Sequence, residues 1–327
     1  MEALSNLARQ LPADIPAAIF IVLHLPAQTP SLLPVILDRI SPLEVSQAIN
    51  GEKIQHGRVY VAPPDFHMLV ERDVVRVIRG PKENRYRPAV DPLFRSAALA
   101  YGPRTVGVIL TGALDDGTVG MRALKSRGGI GVVQDPREAL YSGMPSSAIE
   151  NTEVDYILPL AEIPSLLMRL ATTEAKEEGA YPVPDDLKTE GKIAEQVMNS
   201  DEMIASVEKL GKTSAFTCPE CHGTLWELHD GELLRYRCHV GHAFTVDNLE
   251  AEQSEALEDA LWSGLRALEE KVALAKRMAT RAHERKNYRA AESFQNKAAI
   301  ASQHAEIVRR ILLNGRENSV EDTVDAS

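Results

Sequence analysis

The sequence predicts an α/β chain: a doubly wound, mostly parallel sheet, followed by a small Cys3His zinc-ribbon-like module and an α-helical hairpin. Three observations lead there. Phe20–Pro26 (FIVLHLP) and Val108–Gly117 (VILTGALDDG) are apolar runs that end in polar residues at Pro- or Gly-marked turns, the pattern of buried parallel strands. Cysteines occur only at 218, 221 and 238, beside His242. From residue 249 onward apolar residues recur at spacings of three and four.

The elements follow in order. Leu4, Leu7 and Leu11 place a helix over residues 2–11, and Ala17–Leu25 reads as a strand. Ser31–Arg39 is a helix, and Arg58–Arg79 reads as a hairpin (RVYVAPP, HMLV, a turn at Glu71–Asp73, then VVRVI). Next come helix Asp91–Ala100, strand Thr105–Leu110, helix Thr118–Arg127, strand Gly129–Gln134, a helix opening at Pro145–Glu150, strand Tyr156–Leu158 and helix Ile163–Ala171. Strands alternating with helices argue for a parallel sheet covered on both faces. The first domain is set at residues 1–171 and a linker with room for one helix at 172–210, opening with the acidic, Pro-containing TTEAKEEGAYPVPDD. The ribbon takes 211–246, the helical hairpin 247–314 and a disordered tail 315–327.

Of the 327 residues, 44% are apolar and 25% charged, a balance typical of soluble globular chains. No apolar stretch approaches the roughly 20 residues of a membrane span, and the N-terminus lacks the order of a secretory signal, so a cytoplasmic protein without membrane insertion is expected. The net charge is −11, with residues 1–170 at −1 (17 basic, 18 acidic) and the remainder at −10 (19 basic, 29 acidic). That balance speaks against a nucleic-acid partner, as do Glu220, Glu227, Asp230 and Glu232 within the ribbon.

Ligands of open α/β sheets gather at the carboxyl ends of the strands, where His24 and Asp116 fall. An imidazole and a carboxylate there are two members of a nucleophile triad: the imidazole takes a proton from a serine hydroxyl, and the carboxylate orients the ring and stabilises its cation. A lone His after a strand is, by itself, more often a packing residue.

Several segments together resemble one family. His24-Leu25-Pro26 is similar to the Gln-His-Met-Pro segment of the chemotaxis protein-glutamate methylesterases, the CheB family, and Leu110–Gly117 (LTGALDDG) to that family's Leu-Thr-Gly-Met-Gly-x-Asp-Gly. Val59–Pro64 with His67, Arg87–Ser96 (RPAVDPLFRS), Gly129–Pro136 (GIGVVQDP) and Gly143–Ala148 (GMPSSA) follow in the family's order, over about residues 2–170. The resemblance implies hydrolysis of glutamate methyl esters on chemoreceptors within a phosphorelay-linked signalling pathway. It implies no catalytic cofactor, His24 as general base and Asp116, rather than the adjacent Asp115, as the orienting carboxylate. Three departures accompany it. The family's Gly-x-Ser-x-Gly-Gly turn and its strand precede a helix like Glu2–Leu11, so no nucleophile is assigned here, and Met1 is expected to be an internal codon taken as the start. Ala113-Leu114 stands where the family has the Met-Gly that lies near the oxyanion. Many members of the family carry an N-terminal receiver domain and these residues include none, so regulation by phosphorylation in cis is not assumed. The alternative reading is a catalytically inactive scaffold or binding module that works through the ribbon and hairpin.

Cys218-Pro-Glu-Cys221 supplies two zinc ligands from one turn, and Cys238 with His242 supplies two more; His239 is the adjacent alternative, ahead of His222 and His229. Four protein ligands make the ion structural. TLWELHDGELLRYR between the knuckles reads as a hairpin turning at Asp230-Gly231. Leu261, Leu265, Leu268, Val272, Ala275, Ala279 and Ala282, then Ala291, Phe294, Ala298, Ala301, Ala305, Val308 and Leu312, form the seams of two antiparallel helices. These seams are core first and a surface for homo-oligomers second.

Overall fold

Residue 20 faces one core and its neighbours 19 and 21 face another, and this alternation organises the molecule. The computed structural model describes residues 1–27, 30–196 and 198–321, with side chains to residue 313. Helix α1 (Glu2–Gln10) leads into strand β1 (Ile19–Ile21), α2 (Leu33–Asp38), β2 (Glu44–Gln47) and β3 (Arg58–Val61). Strands β4 (His67–Glu71) and β5 (Val74–Ile78) follow, then α3 (Val90–Tyr101), β6 (Val106–Ile109), α4 (Thr118–Ser126), β7 (Ile130–Gln134), α5 (Gly143–Asn151), β8 (Tyr156–Leu158) and α6 (Ile163–Thr172). β1, β3 and β2 pair in that order, all parallel, as do β6, β7 and β8.

Both parallel sheets share one core on one face, and on the other face each packs on its own cluster. Tyr60, Ile109, Val133 and Phe20 pack with Phe94 of α3, Met121 of α4 and Met144 of α5. On the opposite face Val59, Val61 and Ile21 pack with Ala8 of α1 and Leu37 of α2, while Val132 packs with Leu7 of α1 and Leu166 of α6. Helices α1 and α6 thus serve both sheets, and the fold is doubly wound as the alternation of strands and helices predicts. Among the described residues neither β1 nor β6 has a second ladder partner, so each keeps one open edge.

Two local readings change. RVYV does not join the hairpin but pairs in parallel with β1 and β2; the hairpin is β4–β5 alone. All of Val59, Tyr60 and Val61 are buried, which suits a central strand and not an exposed ribbon. β1 covers only three residues of the expected Ala17–Leu25, paired with Val59, Tyr60 and Val61 of β3.

The acidic segment after α6 leads into two helices, α7 (Asp185–Glu195) and α8 (Ser200–Leu210), the second capped by a reciprocal Asn199–Glu202 box. Leu187 of α7 packs on Ala98 and Leu124, and Ile193 packs on Trp226 and Leu228 of the ribbon. The ribbon is a four-stranded antiparallel sheet, in the order β12-β11-β10-β9, of β9 (Gly211–Thr217), β10 (Thr224–Asp230), β11 (Leu233–Cys238) and β12 (Ala243–Thr245). Residues 1–249 form one compact unit that includes it. A buried ionic cluster links the parts. Arg95 of α3 donates to Glu83 at 2.6 and 2.7 Å, Arg237 of β11 reaches Glu83 at 3.3 Å and Glu190 of α7 at 3.4 Å, and Arg235 donates to Glu190 at 2.5 Å.

From Glu250 the chain forms a second unit. Helices α9 (Val246–Glu284) and α10 (Tyr288–Glu321) run as the expected hairpin, with Leu265, Ala275, Ala279, Ala291, Ala298, Ala301, Ala305 and Leu312 buried in the seam. α10 continues to Glu321, past the expected start of the tail at 315; residues 322–327 lie outside the described residues.

Glu190 is 3% exposed; burial would push its carboxyl up, but Arg235, Arg237 and Arg95 hold it below the usual carboxylate range. Glu190→Gln leaves guanidinium groups buried and short of charge, and is expected to lower stability by about 3–5 kcal/mol in urea denaturation at pH 7.

Candidate active site and metal centre

His24 lies three residues beyond β1 and Asp116 in the turn between β6 and α4, so each follows the carboxyl end of a strand. Gly117, at φ 95°, takes the left-handed conformation that starts α4 directly after Asp116. The two side chains meet: His24 Nε2 is 2.7 Å from Asp116 Oδ2. Asp116 is 1% exposed and His24 is partly open. The His24 ring stacks on Tyr86, 3.9 Å between centroids and 5° from parallel.

Asp116 accepts further hydrogen bonds from Val90 N at 2.7 Å, Asn84 Nδ2 at 3.1 Å and Asp91 N at 3.2 Å. Two of these donors are the first amides of α3, where the helix end favours negative charge. Burial alone would push the Asp116 carboxyl up; the hydrogen bond and charge of His24, with the Val90 and Asn84 donors, hold it below its ordinary value. Asp91 shares Asn84 Nδ2 at 2.7 Å and accepts from Gly120 N at 2.6 Å. Burial and the Asp116 charge push its carboxyl up to about 8. One carboxyl of the pair is therefore ionised and the other protonated at neutral pH, as like charges at close range require.

Asn84 and Tyr86 sit on a loop tied at both ends by His67. Its Nδ1 accepts from Ala89 N at 3.3 Å, so the proton is on Nε2, which donates to Pro81 O at 2.8 Å. Burial lowers the ring's pKa, which keeps it neutral. His67 is a tether for this loop. The adjacent Asp115 points elsewhere: its Oδ1 accepts from Thr245 Oγ1 at 2.9 Å and from Asn248 Nδ2, both beyond the ribbon's last ligand. Burial pushes its carboxyl up to about 6 despite these donors. Leu114, at φ 57°, occupies a left-handed position just before the acidic pair, costly for a residue with a side chain. Asn84, Tyr86, Thr245 and Asn248 carry no sequence signal, because each acts only through a distant partner. Asp91 lay within the quoted RPAVDPLFRS block, but its role there was not legible.

The Cys3His set is also assembled. The ligand atoms of Cys218, Cys221, Cys238 and His242 all lie within 4.8 Å of one another. Cys221 Sγ is 3.7 Å from Cys238 Sγ, and His242 Nδ1 is 3.7 Å from Cys218 Sγ and 3.5 Å from Cys238 Sγ. Tetrahedral bonds of about 2.3 Å to sulfur and 2.0–2.1 Å to nitrogen give edges of about 3.5–3.8 Å, which these three pairs match, so the set could hold a zinc-sized ion. His239 instead turns edge-on to Trp226, 6.3 Å between centroids.

A pH test isolates the carboxyl pair. Between about pH 4 and 8 the unfolded chain releases the Asp91 proton and the folded chain keeps it, so this group makes stability fall as pH rises through that window. Asp91→Asn has no proton to release, and its denaturation midpoint is expected to fall less between pH 5 and pH 8 than that of the parent chain.

Residues 1–167 match the sequence profile of the CheB methylesterase family. A putative protein-glutamate methylesterase/protein-glutamine glutaminase of Leptospira interrogans is 40% identical over 171 residues, covering 52% of this chain and 89% of that protein. The protein-glutamate methylesterase/protein-glutamine glutaminase of Pyrococcus abyssi is 37% identical over 172 residues, and the match spans 47% of its length. Relatives of this second kind are thus covered over about half their length. The crystal structure of the Thermotoga maritima CheB methylesterase catalytic domain superposes with a TM-score of 0.50 at 38% identity, covering 52% of this chain and 92% of that domain. The profile match ends ahead of α7, so the ribbon and hairpin lie outside it. With more than half of its residues in that match, and one relative covered almost end to end, the chain belongs to the CheB methylesterase family.

Proposed function

We propose that the α/β part of this chain acts as a protein-glutamate methylesterase of a chemotaxis-type pathway, hydrolysing glutamyl methyl esters on chemoreceptors to carboxylate and methanol. The observation that carries the reading is the 2.7 Å contact between His24 and buried Asp116 at the carboxyl ends of two parallel strands. Asp116 accepts a hydrogen bond from His24 Nε2–H, which leaves the lone pair on Nδ1 of His24 as the base. That nitrogen takes the hydroxyl proton of a serine as its oxygen attacks the ester carbonyl, and Asp116 stabilises the resulting imidazolium. The proton then passes to the departing methoxide, giving methanol and an acyl-enzyme. Water, activated by the same ring, releases the carboxylate.

Ser5 does not fit the role, since it lies inside α1 without a Gly-rich turn. We infer that the serine arrives on a further parallel strand seated along the open edges of β1 and β6, where the core on one face already runs from one sheet to the other. The intact mass of the product from its native cells tests this: a longer chain with a Gly-rich Ser turn is expected, and a product beginning at Met1 overturns it. In that native product His24→Ala is expected to cut methanol release from methylated receptor by about 10⁴-fold or more. Retained activity would sink the mechanism. A second reading, an inactive signalling scaffold, is favoured by Ala113-Leu114 in place of the family's Met-Gly; it predicts that His24→Ala leaves the cellular phenotype unchanged.

The ribbon's ion is proposed to be structural zinc held by Cys218, Cys221, Cys238 and His242. The four contribute a closed donor set, with Cys218 and Cys238 fully buried. Elemental analysis is expected to give about one zinc per chain, and fewer than about 0.5 would contradict the four-ligand site. No helix among the described residues is long and apolar enough to cross a membrane.

A further inference from the structure

The Cys3His cluster and the His24–Asp116 pair are joined by a short, continuous path. The second ligand knuckle ends at His242, and β12 begins at the next residue. Ala243 of β12 accepts from Asn84 N at 2.8 Å and donates to Lys82 O at 3.4 Å, so the loop that carries Asn84 and Tyr86 is laddered to β12. The first knuckle grips the same loop through Glu220, which accepts from Lys82 Nζ at 2.6 Å. Arg237, the residue before Cys238, donates to Glu83 in that loop and to Gly241 O inside the second knuckle. From the laddered loop Asn84 reaches Asp116 and Asp91, and Tyr86 stacks on His24. On the far side of β12, Thr245 and Asn248 hold Asp115, next to Asp116 in the chain.

We propose that the Cys3His cluster is a metal centre that sets the geometry of the His24–Asp116 pair, with Asn84, Tyr86, Thr245 and Asn248 as its positioning residues. The ion is of the tetrahedral, thiolate- and imidazole-binding class represented by Zn²⁺. The physical ground is the weakness of β12 without it. A three-residue strand is not held by its own ladder, and the ribbon's core beside it is small, with two ligand cysteines among its six buried members. In such a module metal binding is folding free energy. Releasing the knuckles frees β12, and with it the ladder to Asn84 and the donors to Asp115. A buried carboxyl is then left without partners beside Asp116; taking up a proton would still leave its oxygens unsatisfied, and moving the turn to water relieves them. The proposal rests on the esterase reading only for what the pair does; the coupling itself concerns the position of an imidazole.

The test uses the whole chain, uniformly labelled with ¹⁵N, with zinc stripped by a chelator and then returned at one equivalent. His24 is assigned by comparison with His24→Gln. With zinc bound, the His24 ring is expected to stay in one tautomer, protonated at Nε2. Without zinc it is expected to average between tautomers, and the Asn84 amide to exchange about tenfold faster or more, while the Met121 amide on the far core changes little. Returning zinc restores both. Where stripping unfolds the unit, seen as fast exchange at Met121, the zinc-loaded Thr245→Val, Asn248→Ala double variant decides: loosening of the His24 ring with one zinc retained supports the coupling. A chain that binds no zinc overturns the proposal. So does a stripped, folded chain, or a zinc-loaded double variant, in which His24 is unchanged; the ribbon is then a docking module independent of the pair. None of these readouts uses ester hydrolysis, so an inactive protein leaves the coupling standing and an uncoupled one leaves the esterase reading standing.

Discussion

A carboxylate withdrawn from water must be met by donors, and Asp116 draws them from three separate parts of the chain. It takes an imidazole from the turn after β1, two amides from the start of α3 and a side-chain amide from the loop between β5 and α3. Without them the burial of the charge would cost several kcal/mol, and the group would neutralise instead. Supplied with them it stays ionised, and that fixes the start of α3, the rotation of the His24 ring and the path of the Asn84 loop together. Asp91, the second residue of α3, shows the converse: burial and the Asp116 charge push its carboxyl up to about 8, and it braces Asn84 against α4.

The loop from Pro81 to Ala89 is therefore a structural hinge of the site, though it has almost no regular structure of its own. Neutral His67 ties its ends and Arg87 pairs with Asp65 at 2.5 Å. Its middle is held by the ribbon, through a short ladder to β12 and the ionic cluster around Glu83. Buried ion clusters of this kind contribute little net stability against an apolar alternative, but losing one member is expensive. Their use here is specificity: Glu83 and Glu190 accept guanidinium groups from α3 and β11 in one arrangement, which sets how the ribbon meets the α/β part.

On the proposed reading, His24 and Asp116 form the proton-handling part of an acyl-transfer centre, with the Tyr86 ring stacked on the imidazole. Among the described residues β1 and β6 each keep one edge without a ladder partner, which is where the proposed further strand would pair.

Much of the fold was legible because its signals are local. The helices and most strands of residues 1–171 follow from apolar periodicity, the knuckles from a cysteine spacing and the helical hairpin from a seam at 3/4 spacing. His24 and Asp116 were nameable because each follows an apolar run at a marked turn and because the segments around them resemble the CheB family, which alone separated Asp116 from Asp115. The sequence by itself could not place RVYV in the parallel sheet, since a short apolar strand carries no label for its neighbour. Nor could it show that the acidic segment after α6 leads into helices packed between the α/β part and the ribbon, because polar composition describes a surface and not what a few apolar residues, such as Leu187 and Ile193, will meet. Asn84, Asp91, Thr245 and Asn248 became site residues only in three dimensions. Their hydrogen bonds span from 7 to 133 positions of chain, and the burial that makes such bonds obligatory is a property of the packed molecule alone.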